Sequence, residues 1–119
     1  MEKTLLDLVE ELKAPNIEFA CFDWSAEFGE MLMFSSSTAY IENERLKVVR
    51  GDTNVAKPYE DLMMQLLREK YPHFDFEYGS YGEMYVHSTG RIEIHLTKRI
   101  QAEEYHTAIV DLSTHSSVG

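Results

Sequence analysis

The stretch "EMYVHSTGRIEIHLT", residues 83–97, limits the fold more than any other part of the chain. Met84 and Val86 precede the turn "STGR", and Ile92, Ile94 and Leu96 follow it. Glu83, Tyr85, His87, Glu93, His95 and Thr97 hold the opposite parity. Side chains along a strand alternate between faces, so the segment predicts a β-hairpin with one apolar and one polar face. Only pairings whose residue numbers sum to an even value keep the five apolar side chains together; a slip by one residue would turn them into water. A sum of 178 sets Glu83 opposite His95, Tyr85 opposite Glu93 and His87 opposite Arg91. The apolar face then requires a helix to cover it.

Two helices are available. Leu5, Leu8, Val9 and Leu12 recur at helical spacing behind Thr4, a residue suited to an N-cap, and Pro15 ends the run. Tyr59, Leu62, Met63, Leu66, Leu67 and Tyr71 form a longer stripe between Pro58 and Pro72. Between the helices, "NIEFACFDW" is apolar on both parities, as expected of a strand in the middle of a sheet. "SAEFGE" reads as a turn around Gly29, and "MLMFSSSTAYIENERLKVVRG" as one or two strands with a bulge or corner at Ser35, Ser36 and Ser37. "AEEYHTAIVDL" is read as a strand or a short helix, and residues 113–119 as a frayed tail. The expected fold class is α+β, residues 1–119 forming one domain: an antiparallel sheet with two helices packed on one face.

At 119 residues and 44% hydrophobic content the chain has ample material for a core. Its 21 acids against 11 Lys and Arg give a formal charge of −10, which disfavours direct contact with nucleic acid or anionic membranes. The N-terminal helix carries acids among its apolar positions and is read as neither a signal peptide nor a membrane span. A lone cysteine, Cys21, fits a reducing compartment, so the protein is read as cytoplasmic. Its place in an apolar strand makes it a buried thiol rather than a nucleophile. Methionines 31, 33, 63, 64 and 84 are read as core filler.

"FEYGSYGEMYVH", residues 76–87, spaces Gly79 and Gly82 among Phe76, Tyr78, Tyr81 and Tyr85. One reading is a stacking surface beside Glu83; the other is a packed turn in which both glycines supply positive φ. The runs "FDWSAEFGEM", "PYEDLMMQLLREKYP", "YGSYGEMYVHSTGRIEIHL" and "EEY" together resemble a family of small, acidic, uncharacterised bacterial proteins often met on mobile genetic elements. The resemblance covers roughly residues 17–105, is most specific at Gly79-Ser80-Tyr81-Gly82-Glu83, and departs from the pattern at His87, where an aspartate is common. It implies the same architecture and brings no activity with it.

Two sets of residues are candidates for function. Glu83, His95 and Tyr85 are candidate catalytic residues, because a carboxylate facing an imidazole across a hairpin can serve as acid and base near neutral pH. A solvated sheet face of alternating charges explains the same residues without function. His87, His95 and Glu93 lack a recognised ligand spacing, so no metal and no cofactor is assigned. The second set is Asp23, Trp24, Glu27, Phe28 and Glu30, read as an acidic turn with Trp24 or Phe28 exposed, in a stretch without a base from Lys13 to Arg45. Such a turn suits a partner protein with a basic surface. The expected function is therefore a non-catalytic interaction module, an inhibitor or accessory protein of a mobile element; the alternative is a small enzyme or ligand-binding protein using Glu83, His95 and Tyr85. Self-association is left open.

Overall fold

A computed structural model of the chain describes residues 4–13, 16–51, 54–75, 79–98 and 104–112. The expected stop at Pro15, the aromatic pair Phe76 and Tyr78, and the tail 113–119 lie outside them. The first helix, α1, spans Leu5–Leu12. The Thr4 hydroxyl accepts from the Asp7 backbone N–H at 3.3 Å, and the Asp7 carboxylate accepts from the Thr4 N–H at 2.8 Å. This capping box satisfies donors that the first turn would otherwise leave open.

Strands β1 (Ile17–Glu27), β2 (Glu30–Glu42) and β3 (Arg45–Arg50) follow. A short 3-10 turn at Lys57–Tyr59 then leads into α2 (Glu60–Lys70). The chain closes with β4 (Ser80–His87), β5 (Arg91–Lys98) and β6 (Glu104–Asp111), so the "EYHTAIVD" segment is a strand. All neighbouring strands are antiparallel, in the order β3-β2-β1-β4-β5-β6. The order α-β-β-β is thus written twice, with β1 and β4 meeting at the centre. β1 is central, as its two apolar parities require.

Both hairpins of the first half turn on two residues of positive φ. Phe28 and Gly29 lie at 49° and 81°, and Asn43 and Glu44 at 52° and 63°. That geometry matches the right-handed twist of the flanking strands. The serine run is neither a bulge nor a corner, because Ser35, Ser36 and Ser37 pair in step with Asp23, Phe22 and Cys21. The irregularities fall elsewhere. Leu32 is the extra residue between Met31 and Met33, and Glu18 the extra residue between Ile17 and Phe19.

The β4–β5 register has an even sum, as expected, and it is 178, with Glu83 opposite His95 and Tyr85 opposite Glu93. Even-numbered side chains from the central strands make the core: Ala20, Phe22, Trp24 and Ala26 of β1, Met84 and Val86 of β4, and Ile92, Ile94 and Leu96 of β5. Leu8, Val9 and Leu12 of α1 and Met63, Leu66 and Leu67 of α2 complete it, which places both helices on one face. Each large apolar side chain buried in this way contributes about 1.5–3 kcal/mol. Tyr59, fully buried, donates its hydroxyl to the Glu11 carboxylate and so joins the two helical segments.

Under β2 the core is polar. Asn54, 3% exposed, accepts from the Thr38 hydroxyl at 3.0 Å and from the Ala56 N–H at 2.8 Å. Its amide donates to the Gly51 carbonyl at 2.8 Å and to Ser36 Oγ at 3.3 Å. Ser36 in turn donates to Glu60 at 2.6 Å. Buried hydroxyls on an apolar-covered face are tolerated because each has a partner.

Candidate functional site

With the even-numbered face under the helices, the odd-numbered face of the sheet has no described element packed over it. Asp23 of β1 lies opposite Glu83 of β4, near the middle of a ladder that runs from Phe19–His87 to Ala26–Ser80. Glu83 in turn lies opposite His95. The sheet therefore brings a residue from each candidate set onto one rung, although 60 positions separate Asp23 from Glu83 in the chain.

Neutral donors hold the two carboxylates. The Tyr85 hydroxyl donates to Glu83 Oε2 at 3.2 Å, and the Cys21 thiol to Asp23 Oδ1 at 3.7 Å. The ring nitrogens of His95 have other partners. Its Nδ1 lies 2.5 Å from the Tyr105 hydroxyl, with the rings stacked 6.1 Å apart, and its Nε2 lies 3.6 Å from Glu93 Oε1. Glu93 Oε2 meets His87 Nε2 at 2.7 Å, so the carboxylate that holds imidazoles is Glu93 rather than Glu83. Glu83 and His95 are cross-strand neighbours in the register, but their hydrogen bonds go to other residues.

The chemistry of the face follows from burial and these contacts. Burial first, and the Asp23 charge second, push the Cys21 thiol up to about 12, so it stays protonated at neutral pH. Tyr85 is pushed up by burial and by the neighbouring Cys21 and Glu83, which keeps its hydroxyl a donor. The hydrogen bond from His87 holds the Glu93 carboxyl below its usual range despite an opposing burial effect. No group of three His, Cys, Asp or Glu among the described residues is arranged to hold a metal ion.

A cleft of about 590 Å³ opens over Asp23 and Glu83, walled by Arg50 of β3, Tyr81 of β4 and Tyr105 of β6. Gly82 and Trp24 also contribute to its lining. Arg50 and Tyr105 are members that the sequence reading missed, whereas Tyr81 belongs to the stacking surface read beside Glu83. The parity of Leu46, Val48 and Arg50 in "RLKVVR" carried the signal for Arg50, but only the pairing with Ser37 places it on this face.

The acidic turn divides in two. Glu27 pairs with Glu30 at the β1–β2 tip, Phe28 between them is 70% exposed, and Leu32 and Met33 nearby are about half exposed. The Gly29 N–H donates to the Asp75 carbonyl at 2.7 Å and braces the tip against the segment after α2. Asp23 is four residues away along β1, about 13 Å, and belongs to the open face. The expected exposure of Trp24 is corrected: it is 1% exposed, on the helix-covered parity, with its indole N–H donating to Ser80 Oγ at 3.2 Å. β1 continues through Glu27, so the turn begins three residues later than "SAEFGE" predicts. No family model, curated protein or solved structure matches the chain. Among the described residues no helix is long and apolar enough to cross a membrane.

Proposed function

We propose that the protein is a non-catalytic interaction module that docks through the β1–β2 tip onto a partner protein presenting an apolar surface rimmed by bases. The observation that carries this reading is Phe28, 70% exposed between Glu27 and Glu30 and followed by exposed Leu32 and Met33. An aromatic anchor ringed by acids fits such a surface, with the charges steering association and the ring filling a pocket. The buried, unpaired thiol of Cys21 is in keeping with a reducing cytoplasm, and the mobile-element setting rests on the sequence resemblance. The enzyme alternative is disfavoured by the hydrogen bonding of Glu83 to Tyr85 and of His95 to Tyr105.

The test starts from a partner captured from the host and measures its association kinetics. Phe28→Ser should weaken the complex by about 2 kcal/mol or more. Glu27→Gln with Glu30→Gln should slow association and flatten its salt dependence. Asp61→Asn with Glu69→Gln, exposed acids of α2, is the control for net charge and should leave both unchanged. Equal loss in the tip and control variants would overturn the reading, as would a Phe28-dependent dimer of this chain with no partner bound.

A further inference from the structure

The open-face cleft adjoins the tip at Met33, lies over Asp23 and Glu83 rather than at Phe28, and has charges of both signs. Asp23 and Glu83 stand directly opposite one another, and neither forms an ion pair with a described residue. Like charges facing each other across a ladder destabilise it, so this rung favours a cation from outside. Tyr81, Tyr105 and His95 line the same cleft and offer ring faces on which a planar cation can lie. On the opposite wall stands Arg50, two strands away or about 10 Å, and it too forms no ion pair with a described residue. Its guanidinium is a forked donor matched to a carboxylate. The volume, about 590 Å³, falls in the range of small-ligand sites.

We propose that this cleft binds arginine as a carboxylate-bearing guanidine, with the ligand guanidinium between Asp23 and Glu83 and its α-carboxylate on Arg50. Guanidinium is favoured over ammonium because it is planar, presents several donors to two carboxylates and stacks on tyrosine. The free amino acid and the C-terminal arginine of a peptide share this chemistry and differ at the α-amine.

The test is an NMR titration of the full chain with arginine, N-acetyl-arginine, arginine amide and citrulline. Arginine or N-acetyl-arginine should give saturable shifts at the Gly82 and His95 amides. Citrulline, without the cation, and arginine amide, without the carboxylate, should bind at least about tenfold more weakly, the effect of losing one charge-assisted hydrogen bond. Binding by arginine alone assigns the site to the free amino acid; equal binding of N-acetyl-arginine assigns it to a peptide C-terminus. Asp23→Asn and Glu83→Gln, nearly isosteric changes, should each weaken binding about tenfold without lowering the melting temperature. Arg50→Gln should erase the preference for arginine over arginine amide. Citrulline binding as tightly as arginine, an unchanged preference in Arg50→Gln, or no saturable shift with any of the four compounds would overturn the proposal.

Discussion

Gly79 and Gly82 lie three positions apart and are glycine for different reasons. Gly79 has φ of 76°, and a Cβ there would fall on the Ala26 carbonyl oxygen. Gly82, expected to share that conformation, has no positive φ; it lies inside β4, where a Cβ would strike the His95 carbonyl oxygen and come within 2.9 Å of the Trp24 ring. Gly82→Ala should therefore cost about 1–3 kcal/mol through overpacking. Gly79→Ala should cost more, since backbone strain adds to the clash. Thermal melts check both, and a melting temperature equal to or above wild type for either would refute its account. Cys21 gives a second test: with its pKa up to about 12, the native thiol should react with an aromatic disulfide reagent at pH 8 far more slowly than the urea-unfolded thiol. Similar rates in both states would contradict its burial.

The β4–β5 hairpin shows how an element turns parity into chemistry. Its even face is core, so its odd face must present Glu83, Tyr85, Glu93 and His95 together. Glu93 is held by His87 and His95, and its folded pKa lies below the ordinary 4.5. A depressed carboxyl stabilises the fold above its unfolded pKa, and that contribution fades as pH falls through the lower folded value. Glu93→Gln should therefore cost about 1 kcal/mol or less at pH 6 to 7. The gap to wild type should close in acid below the ordinary carboxyl pKa. Urea titrations at neutral and acid pH decide this, and a gap that widened in acid would reverse the assignment. The tip between β1 and β2 works differently, because its exposed Phe28 sits at the end of a strand pair rather than on a rung.

The whole molecule is two α-β-β-β halves joined along β1 and β4, and the two candidate surfaces differ in how they depend on that join. The tip belongs to the first half, braced by Asp75 from the segment after α2. The cleft needs all six strands at once. Asn54 helps hold this arrangement, since its amide ties β2 to the loop that leads toward α2. Asn54→Ala would leave the Thr38 and Ser36 hydroxyls short of partners in a buried place and should cost about 1–3 kcal/mol. Denaturant unfolding measures it, and a cost within experimental error would show that the network contributes nothing to the fold.

Local periodicity in the sequence was enough to place α1, α2 and the parity of the β4–β5 pairing, because one apolar face per element leaves only even-sum registers that bury all five side chains; which of these forms is seen only in the structure. Cys21 was likewise legible as a buried thiol from its apolar neighbours. The serine run was misread because serine is a common turn residue, whereas here Ser36 and Thr38 find partners in Asn54 and Glu60, far along the chain. Trp24 was misassigned to the surface because acids flank it in sequence, while strand alternation sends Asp23 to one face and Trp24 to the other. Strand order, the rung that sets Asp23 against Glu83, and the arrival of Arg50 and Tyr105 over it belonged to the tertiary structure alone. Those contacts join segments tens of residues apart, and their pairing is chosen by how the two halves bury a common core, which no local pattern encodes.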